Sequence, residues 1–129
     1  MIPKPVRPTD SELEILTVLW SRGPSTVRDV YETLRRRRKS AQYATVLKFM
    51  QIMAQKGLLK RDESDRAHVY IPIHSRELIQ RQLAGDLLQR GFEWSMRNLM
   101  IGALSARKAT KEELAELRKL LDEYEKGKR

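Results

Sequence analysis

The spacing of the apolar residues changes at Gly57, and this change limits the folds open to the chain. Before Gly57, two segments place apolar residues at i, i+3, i+4 and i+7, and an earlier segment places Leu13, Leu16 and Trp20 at i, i+3 and i+7; both spacings put the apolar residues on one face of an α-helix. After it come two short extended runs, 58–61 and 67–73, around the polar turn DESD. Three helices followed by a hairpin is the order of a winged helix-turn-helix. We therefore predict a mainly α fold with a small β-hairpin.

The ends of the three helices are marked by residues that cap or stop helices. Thr9 and Glu12 have the spacing of a capping box, and Gly23-Pro24 follows as a stop. Ser25 is predicted to cap the second helix and Ser40 the third, which Gly57 terminates. The residues predicted to share one core are Leu13, Ile15, Leu16, Leu19 and Trp20, then Val27, Val30, Tyr31 and Leu34, then Val46, Phe49, Met50 and Met53.

The segment that follows the hairpin is predicted to form three further helices, the last starting at a capping box of Thr110 and Glu113. Nothing in the chain is predicted to cover the apolar stripes of these helices. Pro72 lacks a donor N–H, so the second hairpin strand should lie at an edge or close to its end. We predict a domain boundary at 74/75, with a DNA-binding domain over 1–74 and a helical dimerisation module over 75–129. A second copy of the chain is the simplest cover for the stripes. The residues predicted to form that interface are Ile79, Leu83, Leu87, Met96, Leu99, Met100, Leu114, Leu117 and Leu121.

The charge of the chain is strongly positive and unevenly distributed. Its 26 lysines and arginines exceed its 17 acidic residues, giving a net charge of +9. Residues 35–61 hold nine of the cations and no acid. Such a balance favours DNA, RNA or an anionic membrane as partner. For the run RRRRK at 35–39, a solvated helix end and direct phosphate contact remain open alternatives.

The third helix carries a polar face, without acids, opposite its apolar stripe. In a helix-turn-helix this helix enters the major groove, where small residues allow close approach and polar side chains read base edges. A solvated helix face is the alternative reading. The residues predicted to contact double-stranded DNA are Arg28 near the start of the second helix, Ser40, Ala41, Gln42, Tyr43, Ala44, Thr45, Lys48 and Gln51 on the third, and Arg61, Arg66 and His68 on the hairpin.

Several classes of protein are disfavoured by what the sequence lacks. There is no cysteine, no metal-binding or Gly-rich phosphate motif, and no arrangement typical of nucleophilic catalysis. We therefore predict neither an enzyme nor a protein with a cofactor or metal. No apolar run is long enough to span a membrane, and MIPKPVRPTD lacks the apolar core of a signal peptide. These features predict a cytoplasmic protein.

Four segments in order resemble the penicillinase-repressor family of bacterial transcription regulators. They are DSELEILTVLW, TVRDVYETL, YATVLKFMQIMAQKGLL and the hairpin sequence DRAHVYIP, and the resemblance is strongest over residues 9–73. It implies a homodimeric winged-helix repressor that binds a palindromic operator, with the third helix in the major groove and the hairpin as wing. A non-specific nucleic-acid binder and a module that docks a protein partner remain the alternatives.

The resemblance also implies two mechanisms by which repression ends. Copper-responsive members carry a cysteine-rich C-terminal motif, which this chain lacks. In the β-lactam branch a membrane sensor-protease system leads to cleavage of an Asn-Phe bond in the C-terminal module. The equivalent bond here is Gly102-Ala103, so this chain departs from the family at the cleavage position. Cleavage there remains an expectation from the resemblance alone.

Overall fold

A computed structural model describes residues 7–127 of the chain, so the first six residues, including most of the segment judged to lack a signal peptide, lie outside the described part. The described residues form six α-helices and one antiparallel hairpin, as the sequence predicts. In chain order these are α1 (Asp10–Arg22), α2 (Val27–Arg37), α3 (Tyr43–Gln55), β1 (Leu59–Asp62), β2 (Val69–Pro72), α4 (Arg76–Phe92), α5 (Met96–Ala106) and α6 (Lys111–Glu125).

The chain divides into two compact units, one ending at Gly85 and the other beginning at Asp86. This division falls inside α4 and not at the predicted 74/75 boundary. Two observations explain why the first unit continues past the hairpin. The indole N–H of Trp20 donates to the backbone oxygen of His74 at 3.3 Å, and Ile79 is fully buried. The 74/75 boundary therefore remains a prediction about which residues bind DNA and which dimerise, and it differs from the boundary between the compact units.

The core of the first unit is built from one face of each of its first three helices and from the hairpin. The predicted stripes supply most of it, because residues at i, i+3 and i+4 of a helix lie on one side. Val18, which the stripes did not include, is also fully buried. The buried apolar residues of this core are Ile15, Leu16, Val18, Leu19, Val27, Val30, Leu34, Val46, Met50, Met53, Leu58, Leu59 and Tyr70.

Several predicted helix ends are confirmed. Thr9 and Glu12 exchange both hydrogen bonds of a capping box, and Thr110 does the same with Glu113 at the start of α6. Gly57 follows α3 with φ of +83°, a left-handed conformation that costs glycine little and other residues more. These signals succeed because each depends only on residues within one or two turns.

The predicted caps at Ser25 and Ser40 are wrong. Thr26 caps α2, while Ser25 is buried and its backbone exchanges hydrogen bonds of 3.2 and 2.8 Å with Tyr70. Ser40 lies within a turn in which the N–H of Ala41 donates to the oxygen of Arg38 at 3.1 Å. Helix α3 therefore begins later than predicted, at Tyr43, with no side-chain cap.

The hairpin, which we call the wing (residues 59–72), is anchored through one buried aromatic residue. Leu59 pairs with Pro72 and Asp62 with Val69, so β2 ends at the proline as predicted. Tyr70 is buried, and its bridge to Ser25 ties the wing to the connection between α1 and α2. The apolar residue Ile73, just past β2, is exposed. The wing is therefore held at its base, while residues 60–68 are all exposed.

Candidate nucleic-acid interface

Helix α3 is fixed to the core along one side and exposed along the other. Val46, Met50 and Met53 are buried on one side of the helix, and the opposite side faces away from the core. None of the exposed side chains of α3 is acidic, and they are Tyr43, Ala44, Thr45, Lys48, Gln51 and Gln55. A rigid helix with an acid-free outer face is suited to approach a polyanion closely.

The predicted contact residues are exposed except for Ala41, which is half-buried against the core. Most of them line one of two hollows, which lie on either side of α3. Ser40, Ala41, Gln42 and Thr45 border a hollow toward α1. The other hollow, which we call the wing-side groove, lies between α2, α3 and the wing and is lined by six predicted residues: Arg28, Tyr43, Gln51, Arg61, Arg66 and His68. Ala44 and Lys48 line neither hollow.

Helix spacing explains this division. Each residue turns the helix by about 100°, so Ala44 and Lys48 lie on the ridge between the two hollows. They point away from the buried stripe, with Thr45 turned toward one hollow and Gln51 toward the other. The structure therefore brings the predicted residues of α3 to one continuous outer surface, with Lys48 as its central cation.

Two tyrosines and one arginine from α2 and α3 contact one another in turn at the edge of the wing-side groove. The guanidinium carbon of Arg28 lies 4.9 Å from the centroid of the Tyr43 ring. The ring of Tyr31 meets that of Tyr43 edge-on, with centroids 5.6 Å apart and planes at 83°. Both distances lie within the ranges of favourable cation–π and aromatic contacts. The sequence assigned Tyr31 to the core stripe, and no local spacing could have shown its contact with Tyr43.

The wing carries as many acids as basic lysine and arginine residues. Across the exposed residues 60–68, Lys60, Arg61 and Arg66 are matched by Asp62, Glu63 and Asp65. Arg61 Nε donates to Glu63 Oε2 at 2.6 Å. Ser64 donates its N–H and hydroxyl to Asp62, which lowers the pKa of that carboxyl and keeps it charged. The charges of the wing therefore cancel, whereas α3 carries one cation, Lys48, and no acid.

Only one residue of the basic run 35–39 at the end of α2 forms an ion pair within the described residues. Arg38 Nη2 lies 3.2 Å from Glu14 Oε1, which links the end of α2 to α1. Arg35, Arg36, Arg37 and Lys39 are exposed and form no ion pair within the described residues. They add positive charge next to the start of α3, and the two alternatives raised for this run both remain open.

One lysine of the acid-free stretch has a structural role that the sequence did not reveal. Lys56 Nζ lies 2.8 Å from Glu12 Oε2, and the Glu12 side chain is only 3% exposed. Burial opposes ionisation of Glu12, but hydrogen bonds from Lys56 and Thr9 outweigh it and lower the pKa of the carboxyl. This pair connects the start of α1 to the end of α3. The two residues are far apart in the sequence, so no spacing rule predicts their contact.

The second unit presents apolar side chains to solvent. No described residue from 86 to 127 is buried. Of the predicted interface residues in this unit, Leu87, Met96, Met100 and Leu121 are exposed, and Leu99, Leu114 and Leu117 are half-buried. Further large apolar residues that the prediction did not include are also exposed: Trp94, Ile101, Leu104, Leu120 and Tyr124.

Two predicted interface residues lie in the first unit. Leu83 is half-buried, whereas Ile79 is fully buried in the single chain. Because Ile79 has no exposed surface left to offer a partner, we remove it from the proposed interface.

The Gly102-Ala103 bond lies inside α5, not in a loop. Gly102 is half-buried, and a methyl group placed on it would lie 3.6 Å from the ring of Phe92. Among the described residues no group of three potential metal ligands is found, and no helix within that part of the chain is long and apolar enough to cross a membrane.

Three helices followed by an antiparallel hairpin define a winged helix-turn-helix protein. A solved structure of a MarR family protein from Bacillus stearothermophilus has a similar fold, with a TM-score of 0.54 and 14% sequence identity. The match covers 96% of this chain and 76% of that one. The predicted fold class is confirmed.

The sequence comparisons identify the family. The pattern of the penicillinase repressor family matches residues 8–123. The transcriptional regulator BlaI from two strains of Mycobacterium tuberculosis is 37% identical over 119 residues, which is 92% of this chain and 85% of each relative. The chain belongs to the penicillinase repressor family, whose members are transcriptional regulators and not enzymes. The resemblance seen in the sequence is confirmed.

Proposed function

We propose that this protein is a sequence-specific transcriptional repressor that binds a palindromic operator as a homodimer, with α3 in the major groove. The observation that carries the proposal is the exposed, acid-free face of α3, which is held by a buried stripe on its other side. A helix held in this way presents its side chains in one fixed arrangement, as base reading requires. Membership of a family of repressors supports the same assignment.

The N-terminal part of α3 is suited to the closest approach. Gln42 precedes the helix without capping it, so its amide is available to pair with adenine. Ala44 leaves room for the helix backbone near the bases, and Lys48 supplies a cation one turn further along the same ridge. Because α3 has no side-chain cap, its first N–H groups are also available to a phosphate.

The homodimer is supported by the exposed apolar surface of the second unit. One winged helix reads only a few base pairs, whereas two held about one DNA turn apart read a palindrome with much greater specificity. Several apolar side chains of α5 and α6, among them Met96 and Leu121, remain exposed among the residues that the structure describes. A second copy of the same surface would cover them.

The proposal is tested at the two residues assigned to base reading. We expect Gln42→Ala and Lys48→Ala each to weaken operator binding by about 1–3 kcal/mol where a bidentate base contact is lost. Electrophoretic mobility shifts on an operator selected from random duplexes measure the change. Gln55→Ala is the matched control, because Gln55 is exposed at the far end of the same helix. Unchanged affinity in both test variants would mean that α3 is not the reading helix.

The same experiment separates the proposal from non-specific nucleic-acid binding, which a net charge of +9 also permits. A non-specific binder would hold the selected and unrelated duplexes with similar affinity at every salt concentration. A repressor prefers its operator by several orders of magnitude. Equal affinities would overturn the proposed function.

We further propose that repression ends by cleavage within the second unit, as the family resemblance implies. The Gly102-Ala103 bond is helical, so cleavage requires α5 to open locally before a membrane sensor-protease system can act on it. Mass spectrometry of the protein recovered from cells treated with a β-lactam identifies the bond that is cut. Recovery of intact chains only, while the regulated genes are expressed, would overturn this part of the proposal.

A further inference from the structure

The arginine nearest the start of α2 contacts an aromatic ring instead of a carboxylate. Glu32 lies one turn beyond Arg28 on α2, at the i, i+4 spacing that commonly forms ion pairs. Among the described residues, no carboxylate pairs with Arg28. Asp29 is occupied by the N–H of Thr26 and by Arg22. The guanidinium of Arg28 lies over the ring of Tyr43 at 4.9 Å.

The ring that receives Arg28 is itself held in place. Tyr43 is the first residue of α3 and is 38% exposed, so one side of its ring is open to the wing-side groove. Tyr31 meets it edge-on at 5.6 Å and packs against the buried core. The contacts therefore run from the core through Tyr31 and Tyr43 to Arg28. Each step fixes the orientation of the next side chain.

A stacked guanidinium keeps its hydrogen-bond donors. The ring occupies one face of the guanidinium plane, while the N–H groups around its rim remain available to an anion. An arginine free in solvent would lose side-chain freedom on binding a phosphate, at a cost in affinity. An arginine already stacked on a fixed ring loses less. The arrangement at Arg28 is therefore suited to a phosphate at the mouth of the wing-side groove.

We propose that Tyr43 is a positioning residue, whose ring holds Arg28 for a backbone phosphate of the operator and whose hydroxyl is not required. This inference rests on the proposed function and deepens it. It reassigns Tyr43 from a direct contact to one that acts through Arg28. The aromatic ring, and not the polar group at its end, is the part that DNA binding needs.

Binding measurements on four variants test the inference. Tyr43→Leu removes the ring and should weaken operator binding roughly two- to five-fold, the effect expected of a surface cation–π contact. Arg28→Ala should weaken it at least as much and lower the slope of log affinity against log salt by about 0.9, the loss of one phosphate contact. Tyr43→Phe should bind like the wild type. In the double variant of Arg28→Ala and Tyr43→Leu, the second change should add nothing.

A second arginine on the same face of α2 provides the control. Arg35 lies seven residues, about two turns, beyond Arg28 and is exposed. Losses from Arg35→Ala and Tyr43→Leu should add, because Arg35 does not touch that ring. Additive losses at Arg28 and Tyr43, in a protein that binds its operator normally, would overturn the inference and leave the proposed function standing. A loss in Tyr43→Phe equal to that in Tyr43→Leu would also overturn it.

A measurement without DNA separates stacking from a general loss of structure. The side-chain N–H resonance of Arg28 should be shifted by the ring current of Tyr43 in the wild type and in Tyr43→Phe. In Tyr43→Leu it should move to the position of an unstacked arginine, while the resonances of the core stay in place. An Arg28 resonance that is the same in all three proteins would overturn the inference. A protein that binds no duplex DNA would overturn the proposed function together with it.

Discussion

The two units of this chain differ in the burial of their apolar side chains. The first unit buries a core of thirteen apolar residues drawn from three helices and the wing. The second has no buried residue in its described part, and its side chains Trp94 and Met96 are 62% and 73% exposed. Exposed apolar area of this extent on a small protein marks an interaction surface. The first unit thus has a buried core within the single chain, whereas the exposed apolar surface of the second supports the proposed homodimer.

The largest effect is expected where the second unit would meet its partner. Leu121 is 64% exposed on α6, and Leu121→Arg would place an unpaired charge in the dimer interface at a cost of several kcal/mol. Analytical ultracentrifugation should then show monomers. Circular dichroism should report an intact first unit, and operator binding should fall by orders of magnitude.

Ala115→Arg is the matched control for this experiment. It adds the same charge to an exposed position on the opposite face of α6, and it should leave the dimer intact. A dimeric Leu121→Arg protein, or a wild type that is monomeric at micromolar concentration, would show that the exposed surface has another purpose.

The next largest difference is expected in the free energy of unfolding when one methionine from each unit is replaced. Met50 is fully buried and Met100 is 44% exposed. In the monomeric Leu121→Arg background, Met50→Ala should lower the free energy of unfolding by about 2–5 kcal/mol, because it removes packed atoms and leaves a cavity. Met100→Ala should change it by less than about 0.5 kcal/mol. Urea unfolding measures both.

Met50→Leu, which nearly preserves volume, keeps the comparison usable if the alanine variant does not fold. It should cost less than about 1.5 kcal/mol. If Met100→Ala costs as much as Met50→Ala, the second unit has a core of its own and the contrast between the units fails.

A smaller effect is expected at the ion pair between the buried Glu12 and the exposed Lys56 in the first unit. Glu12→Gln removes the charge that Lys56 contacts at 2.8 Å and should lower the free energy of unfolding by about 1–2 kcal/mol at neutral pH. The pKa of Glu12 is lowered in the folded state, so its stabilisation is present above the ordinary value of 4.5 and is lost as pH falls through the lower folded value.

The difference in stability between wild type and Glu12→Gln should therefore shrink as the pH falls below about 4.5. Urea unfolding of both proteins across that range measures it. A difference that grows on acidification would mean that Glu12 is protonated in the native state near neutral pH.

The features that could be predicted from the sequence are those that depend on interactions between residues close together in the chain. The stripes of the first three helices and the capping boxes at Thr9 and Thr110 depend on residues within two turns, and the structure confirms them except at Leu13, which lies outside the core. The predicted cap at Ser25 failed because a tertiary contact competes with the local one, and the predicted cap at Ser40 failed because Ser40 lies in a local turn before α3. The backbone of Ser25 pairs with Tyr70 of the wing, which no local pattern reveals.

The candidate site shows the same limit. The outer face of α3 was predictable, because the buried stripe of a helix fixes which residues lie opposite it. The pairs formed by Arg28 with Tyr43 and by Lys56 with Glu12 were not, since each joins different helices. These pairs decide which of the cations in this part of the chain remain available to DNA. Counting charges along the sequence could not distinguish them.

The smallest effect is expected at the wing, where the contrast between packed and exposed residues recurs inside the first unit. Arg66→Ala should weaken binding evenly across DNA sequences and lower the salt slope by about one unit, as the loss of one phosphate contact requires. Arg61→Ala should act in the same direction but less, because Glu63 already holds Arg61 at 2.6 Å. Glu63→Gln should strengthen binding slightly, since it frees Arg61. A wing variant that changes base preference while the salt slope stays constant would show that the wing reads bases and does more than hold the backbone.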